Sequence, residues 1–196
     1  IENKDVVSVE KYDDIFHVKT TDGAFLEGRA VIAATGASLK RLGVPGESEF
    51  TGRGVSYCAT CDAAFFKDRI TAVVGGGNTA LEEALYLTRF ASKVYIIHRR
   101  DEFRGQKILQ DRVLTNPKIE PIFDTLVTQV NGDEKVYSIT LQNKKTGKSR
   151  ELAIQGLFIF IGNIPNTTYL PEQVLNDSGE VKVDMKMQTL MSGLFA

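Results

Sequence analysis

The sequence predicts an α/β protein with a parallel sheet at its centre. Three consecutive segments within residues 69–100 lead to this fold class: "RITAVVGGG", "NTALEEALYLTRFA" and "KVYIIHRR". The first and third are short apolar runs typical of buried strands, and the second has apolar residues at helical spacing. A strand, a helix and a strand joined by short connections form the start of a βαβ unit.

The N-terminal part of the chain predicts strands and turns. Residues 5–34 hold short apolar stretches separated by turn signals, and the last of these stretches, residues 31–34, stops at Thr35. Residues 37–56 are rich in glycine and have no clear period. We therefore expect an irregular connector over residues 37–56, and its length suggests a functional or inter-domain role.

The C-terminal half predicts one more helix and several strands. The segment "FRGQKILQDRVLTNP" has a helical pattern that stops near Pro117. Residues 119–154 contain the turn signals "NGD" and "KTGK", which predict antiparallel strands. "GLFIFIGNIPN" predicts a buried strand that ends at a glycine, and residues 178–196 predict a strand with a partly apolar tail. Because the chain stops in the middle of a pattern, we expect a piece of a longer protein.

Composition excludes several classes of function. The chain has 196 residues, of which 42% are hydrophobic, and a net charge of -1, so it lacks the basic footprint of a nucleic-acid-binding protein. No apolar run approaches the ~20 residues that a membrane-spanning helix needs. The polar start "IENKDVVSVEKYDD" is unlike a signal peptide. We therefore expect a cytoplasmic protein that binds neither nucleic acid nor membrane.

The segment "GGGNTA", which begins at Gly75, predicts a dinucleotide-binding loop. It follows a strand and opens a helix, which is the context that the G-x-G-x-x-A pattern requires. Gly75 allows the tight turn, Gly77 lets the backbone approach a pyrophosphate, and Ala80 lets the helix pack close to the strand. Asn78 or Thr79 is expected to cap the helix, whose N-terminus favours phosphate.

The end of the second strand indicates which dinucleotide is bound. An NAD site usually has Asp or Glu at this position, whereas this chain has His98, Arg99 and Arg100, followed by Arg104. Arginine binds a 2′-phosphate through paired hydrogen bonds. The neighbouring acidic residues leave a solvated charged turn as the alternative, but next to the glycine loop these cations favour NADPH over NADH.

Both cysteines of the chain lie in "YCATCDAAFF", as Cys58 and Cys61. Zinc requires four ligands, and beyond this pair the chain offers only His17 and His98. Two inert buried thiols are a second alternative. In a chain that resembles a cytosolic protein, a Cys-x-x-Cys near a βαβ pattern favours a redox pair. The adjacent Asp62 would transfer protons to or from this pair.

Five segments in this order resemble the low-molecular-weight thioredoxin reductases: "VIAATGAS", "CATCD", "VVGGGNTALEEALYL", "IIHRRDEFR" and "GLFIFIGNIPN". The resemblance extends over essentially the whole chain. The flavoprotein subunit of alkyl hydroperoxide reductase is a related alternative, and it ranks second because its cysteines typically enclose Pro-His rather than Ala59-Thr60. A non-catalytic NADPH-binding module and a structural zinc protein remain as alternatives from other classes.

The resemblance implies a Rossmann-like, three-layer pyridine-nucleotide domain, in which a parallel sheet is combined with an antiparallel β-meander, and part of an FAD domain. On this basis residues 1–45 are FAD-domain strands and a connector, residues 46–165 are the NADPH-binding domain with the cysteines, and residues 166–196 return toward the FAD domain. The resemblance also implies a homodimer. The family's own FAD glycine motif and its Ala-Gly-Asp stretch do not occur, so we expect an incomplete FAD site and no turnover by the isolated chain.

The resemblance further implies an electron path from NADPH to FAD, then to the disulfide and then to thioredoxin or a thioredoxin-like protein, with a rotation of the domains during turnover. Cys61 would face the flavin, Cys58 would attack the thioredoxin disulfide, and Asp62 would be the acid/base. The predicted cofactor-binding residues are completed by four positions at strand ends: Thr35, Gly36, Ile161 and Gly162.

Overall fold

The computed structural model describes residues 4–196. The chain divides into two compact units. The central unit is Lys40–Gly162, and the second unit combines the described residues up to Leu39 with Asn163–Ala196.

The elements are numbered along the chain. The strands are β1 (Val6–Tyr12), β2 (Ile15–Thr20), β3 (Phe25–Gly28), β4 (Val31–Ile32), β5 (Ala37–Leu39), β6 (Val55–Ser56), β7 (Ile70–Val74), β8 (Lys93–Ile97), β9 (Ile119–Ile122), β10 (Thr125–Gly132), β11 (Val136–Asn143), β12 (Ser149–Ala153), β13 (Gly156–Ile159), β14 (Asn163–Pro165) and β15 (Leu194–Phe195). The α-helices are α1 (Ala59–Asp62), α2 (Asn78–Leu87) and α3 (Lys107–Thr115), and short 3-10 turns cover Ala63–Phe66 and Glu172–Val174.

A parallel five-stranded sheet forms the middle layer of the central unit, with strand order β6-β13-β7-β8-β9. Its central strands are apolar on both faces because both faces are covered. Val73 on β7 belongs to the buried cluster that includes α2 and α3 residues, whereas Ala72 and Val74 belong to the cluster that includes the β10–β12 meander. The helices, the parallel sheet and the meander therefore form three layers. The predicted fold class is confirmed.

The helix α2 carries the helical spacing that the sequence predicts, with Ala80, Leu81, Ala84 and Leu87 buried. It ends at Leu87 rather than at residue 91. Beyond that point the chain closes tighter turns, because the Arg89 and Phe90 amides donate to carbonyls three residues back.

Three sequence expectations about local structure are wrong. β9 pairs in parallel with β8 as the edge of the main sheet, so only β10–β12 are antiparallel within residues 119–154. The expected connector contains the short strands β5 and β6, which are too short to show a period. Residues 178–193 form turns and isolated bridges, and only β15 follows as a strand. Asp184 closes a turn there, because its Oδ1 accepts from the Lys186 and Gln188 amides and Met187 has a φ of 60°.

The second unit contains an antiparallel meander, β1-β2-β3, and two short strand pairs. β15 pairs in parallel with β4, and β14 pairs antiparallel with β5. Its core forms around Phe16 and Leu194, which are both fully buried. None of the helices within residues 4–196 is long and apolar enough to cross a membrane.

Candidate active site in the central unit

A disulfide joins Cys58 to Cys61 at the start of α1, and their Cα atoms are 5.3 Å apart. Cys58 has an extended backbone at the N-cap, where its Sγ accepts a 3.2 Å hydrogen bond from the Cys61 amide. Cys58 is half-buried and Cys61 is exposed, so neither sulfur-bearing residue is fully buried. The residues 4–196 also contain no cluster of three or more His, Cys, Asp or Glu side chains suited to a metal.

The carboxylate of Asp62 is held by a serine that precedes the cysteines. Ser56 Oγ donates a 2.6 Å hydrogen bond to Asp62 Oδ2 and accepts a 3.1 Å bond from the Cys58 amide. Asp62 is the N-cap residue of the 3-10 turn Ala63–Phe66, but its side chain makes no capping bond within the described residues. The carboxylate is instead fixed to the end of β6.

A buried carboxylate holds the residue before the first cysteine. Glu47 is 1% exposed, and it accepts hydrogen bonds from the Tyr57 hydroxyl at 2.8 Å and from the amides of Leu42 and Gly43 at 2.9 and 2.7 Å. Burial, together with the hydrogen bond to Glu47, raises the pKa of Tyr57. These bonds fasten the 42–47 loop to the strand that leads into Cys58.

The glycine loop has the close contacts that its sequence predicts. Gly75 has a φ of 152°, and a β-carbon there would stand 2.4 Å from the Phe160 carbonyl oxygen and 2.6 Å from the Ala80 methyl group. Only glycine fits this position. Gly77 is the N-cap of α2, and a β-carbon there would meet no atom of residues 4–196 within 4 Å. The loop is therefore closed on the protein side and open at the helix N-terminus.

The expected side-chain cap of α2 is wrong. The N-cap is Gly77, and the Asn78 Oδ1 instead accepts a 2.7 Å hydrogen bond from the Gln106 amide. Thr79 is exposed on the first turn. Because Asn78 reaches across to the segment before α3, the helix N-terminus keeps its backbone amides available to an anion.

The four basic residues predicted at the end of β8 differ in burial. His98 is 5% exposed and lies beneath the glycine loop, whereas Arg99, Arg100 and Arg104 are exposed. Burial, with a smaller contribution from Arg104, lowers the pKa of His98, so the imidazole is neutral at pH 7. Its Nε2 atom is buried and has no hydrogen-bond partner within residues 4–196.

Residues 99–104, here called the arginine loop, are hydrogen-bonded to the glycine loop through the backbone. The amides of Arg104 and Gly105 donate to the Gly76 carbonyl at 2.7 and 3.0 Å. Lys145 pairs with Asp101 at 3.3 Å and Asp124 at 2.9 Å, which anchors the other end of this loop. Backbone hydrogen bonds and ion pairs therefore hold the exposed arginines next to the glycine loop.

The remaining predicted cofactor residues lie at strand ends of both units. Ile161 packs against the core on the meander side, and Gly162 is an exposed turn with a φ of 105°. Thr35 and Gly36 lie in the second unit, where Thr35 Oγ1 donates to the Asn166 carbonyl at 2.7 Å and Asn166 donates back to the Thr35 carbonyl. The central unit therefore brings together the disulfide, the glycine loop and the arginines.

Two phenylalanines after the cysteines have different environments. Phe65 is 80% exposed, whereas Phe66 stacks edge-on against Phe158 with ring centroids 5.2 Å apart. Gly156 provides the space for the Phe66 ring, since a β-carbon at that position would stand 2.5 Å from it. Phe66 packs against the core, whereas Phe65 is an exposed aromatic side chain four residues after Cys61.

Sequence reasoning missed Ser56, Glu47 and Lys145. A signal existed for Ser56, because serine often accepts from the amide two residues later and so favours the start of a turn or helix. Glu47 and Lys145 make contacts to residues that are distant in sequence, and a charged residue in a loop carries no local sign of such partners.

A dinucleotide-type loop, a basic strand end and a Cys-x-x-Cys disulfide occur together in one α/β unit. The cysteine helix α1 also packs against α2, and Ala59 and Ala80 share one buried cluster. These features define the class of nucleotide-binding proteins that carry a disulfide beside the nucleotide fold.

Comparison with known proteins gives the family within that class. The family model described as pyridine nucleotide-disulphide oxidoreductase matches residues 1–196, and the chain belongs to this family. A thioredoxin reductase of Treponema pallidum (strain Nichols) is 45% identical over 193 residues, which cover 98% of this chain and 62% of the relative. A thioredoxin reductase of Bacillus subtilis (strain 168) is 46% identical over 172 residues, which cover 87% of this chain and 54% of the relative.

Solved structures give the same result. The Lactococcus lactis thioredoxin reductase superposes with a TM-score of 0.84 at 40% identity, covering 98% of this chain and 64% of that structure. The chain thus spans about 60% of the length of its curated relatives. The predicted resemblance to thioredoxin reductases is confirmed at the level of the family and fold.

Proposed function

We propose that this chain belongs to an NADPH-dependent thioredoxin-disulfide reductase, in which Cys58 and Cys61 are the redox pair. The activity is assigned to the protein at the full length of its relatives. The observation that carries the proposal is the Cys58–Cys61 disulfide in the same compact unit as the Gly75 loop. The relatives named thioredoxin reductase support this substrate over an alkyl hydroperoxide.

The nucleotide proposed for the Gly75 loop is NADPH. The residues fit a dinucleotide because the position above Gly77 is open and the N-terminus of α2 follows it directly. Arg99, Arg100 and Arg104 are exposed and would hold a 2′-phosphate. The neutral ring of His98 packs against Gly76 and supports the loop, and we do not assign it to the nucleotide as a cation. When bound, NADPH supplies a hydride, which is two electrons and one proton.

FAD is proposed as the second cofactor because the family resemblance implies it. Thr35 and Gly36 are the residues assigned to it, and Ile161 and Gly162 are assigned to cofactor binding within the central unit. Gly36 fits a close approach by a ligand, since it has a positive φ and no atom of residues 4–196 lies within 4 Å of a β-carbon there. Gly162 has the same two properties within its own unit, and we derive no electron step through these residues.

The chemistry assigned to the chain itself is dithiol exchange. In the reduced state, the Cys58 thiolate attacks one sulfur of the partner disulfide, forms a mixed disulfide and releases the first partner thiolate. The Cys61 thiolate then attacks the Cys58 sulfur, which restores the intramolecular disulfide and releases the second thiolate. Two electrons pass to the partner, and its two thiolates take up two protons. Asp62 transfers the proton of the Cys61 thiol, and solvent supplies the other.

The proposed partner is thioredoxin or a thioredoxin-like protein. Phe65 supports a docking role because it is an exposed aromatic side chain four residues after Cys61. A homodimer and a cytoplasmic location complete the proposal, and both rest on the family resemblance and on the sequence composition.

Trapping of the mixed disulfide tests the proposed function in the chain itself. Cys61→Ser leaves the Cys58 thiolate without its resolving partner, so we expect a covalent complex with oxidised thioredoxin that dithiothreitol dissolves. The matched Cys58→Ser variant should give none. Equal trapping by both variants would contradict the assigned roles, and absence of trapping by both would favour a nucleotide-binding module with inert thiols.

A further inference from the structure

Ser56 makes an unusual set of contacts for a residue in a short edge strand. It is 5% exposed, and its Oγ lies 2.6 Å from Asp62 Oδ2, 3.1 Å from the Cys58 amide nitrogen and 3.2 Å from the Cys58 carbonyl oxygen. A hydroxyl has one proton and two lone pairs, so it accepts from the amide and donates mainly at the shorter contact. The proton therefore lies toward the carboxylate.

The position of this hydroxyl is fixed by the main sheet. β6 pairs in parallel with β13, and Ser56 is in register with Phe158, which is fully buried. The Asp62 amide in turn donates to the Cys58 carbonyl at 3.2 Å, which closes the turn that carries both sulfurs. One hydroxyl thus connects the sheet, the backbone of the first cysteine and the carboxylate beside the second.

We propose that Ser56 is a positioning residue that holds the Asp62 carboxylate for proton transfer during dithiol exchange, an inference that rests on the proposed function. A hydrogen bond to a carboxylate is stronger than one between neutral groups, so the Asp62 side chain keeps one orientation. Asp62 takes the proton of the Cys61 thiol as the thiolate forms, and it gives a proton to the second leaving thiolate. Ser56 neither gains nor loses a proton over the cycle.

Disulfides with different leaving groups separate this role from a structural one. Hydroxyethyl disulfide releases a basic thiolate that benefits from protonation, whereas 5,5′-dithiobis(2-nitrobenzoate) releases a thiolate that leaves without a proton. The reduced chain is mixed with each reagent at pH 7, and the loss of its thiols is followed. We expect Ser56→Ala to slow exchange with hydroxyethyl disulfide about tenfold, as for the loss of one hydrogen bond to a charged group. Exchange with the second reagent should be slowed less than exchange with hydroxyethyl disulfide, because its leaving thiolate needs no proton and Asp62 then acts only on the Cys61 thiol.

Further variants complete the test. Asp62→Asn should slow the same reaction by about tenfold or more, and the double variant should be no slower than Asp62→Asn, because both changes remove one function. Ser56→Thr and Ser56→Val have the same shape, and only the threonine should retain the wild-type rate. Ser92→Ala removes an exposed hydroxyl bonded to the Arg69 carbonyl and should leave both rates unchanged. Circular dichroism checks that each variant is folded.

The outcomes distinguish this inference from the proposed function. Two outcomes would overturn the role of Ser56 alone, provided that the wild-type chain re-forms its disulfide. One is an equal rate for Ser56→Val and Ser56→Thr, and the other is an equal slowing of both reagents by Ser56→Ala. Additive effects of Ser56→Ala and Asp62→Asn would also overturn it. If the wild-type dithiol reacts with neither reagent, both the inference and the proposed function fall.

Discussion

Gly76 lies directly against the imidazole of His98, because a β-carbon at position 76 would stand 2.4 Å from the Cε1 and Nδ1 atoms of the ring. The next residue, Gly77, faces open space. The protein itself therefore requires glycine at positions 75 and 76, whereas only a ligand would require it at position 77.

Alanine at these two positions should separate stability from nucleotide binding. Gly76→Ala forces the buried ring to move and should lower the free energy of unfolding by about 1–3 kcal/mol. Gly77→Ala should lower it by only about 0.5–1 kcal/mol, the cost of alanine at an N-cap. It should weaken NADPH binding about tenfold or more, because the methyl group occupies the space of the pyrophosphate. Chemical denaturation and fluorescence titration measure the two effects. Wild-type NADPH affinity in Gly77→Ala would contradict the proposed binding mode.

Arg99, Arg100 and Arg104 should determine the preference for NADPH. Replacing any one of them with glutamine should weaken NADPH binding about tenfold, which corresponds to one lost charge-assisted hydrogen bond, while NADH binding changes less than about twofold. Calorimetric titration with both nucleotides measures this. Arg89→Gln is the matched control, since Arg89 is an exposed arginine that lies over Tyr86 beyond the other end of α2. Equal affinity of the wild-type chain for NADPH and NADH would rule out the 2′-phosphate assignment.

His98 should titrate below the ordinary value near 6.5, because burial disfavours the charged ring. The unfolded chain then binds more protons, so the stability contributed by neutral His98 is complete above about pH 6.5 and is lost as the pH falls toward the folded-state pKa. Proton NMR of the imidazole signals checks the direction. The chain has two histidines, and His17→Gln leaves only the His98 signal. A His98 midpoint above 6.5 would refute the buried, neutral ring.

Phe65 and Phe66 should respond differently to alanine. Phe66→Ala removes a ring that packs on Phe158 and should cost about 3 kcal/mol of stability. Phe65→Ala should change stability by less than about 0.5 kcal/mol and weaken thioredoxin docking instead, because this ring is exposed and follows Cys61 by four residues. Thermal denaturation and the yield of the trapped mixed disulfide report the two effects. An unchanged yield with Phe65→Ala would exclude this ring from the docking surface.

The layers of the central unit could be predicted from the sequence because each element carries a local pattern. β7, α2 and β8 have the apolar periods of buried strands and an amphipathic helix, and the "GGGNTA" pattern places the tight turn between them. The pairing of β9 is not predictable from its sequence, because parallel and antiparallel strands of four residues have the same local signal.

The site was predictable only where its chemistry lies in one segment. Cys58, Cys61 and Asp62 are contiguous in "CATCD", and a three-residue spacing suffices for a disulfide. The burial of His98 was not predictable, because the sequence places it beside three arginines, and only the fold turns its ring beneath Gly76. The asparagine cap failed for a similar reason, since Asn78 bonds to a residue 28 positions away.

The proposed function requires Cys58 and Cys61 to pass electrons from NADPH to thioredoxin. The most direct test is NADPH oxidation in the presence of oxidised thioredoxin, using the protein at the full length of its relatives with flavin bound. We predict turnover by the wild-type protein and the loss of thioredoxin reduction in both Cys58→Ser and Cys61→Ser, with NADPH binding retained. Thioredoxin reduction at the wild-type rate by either variant would contradict the claim.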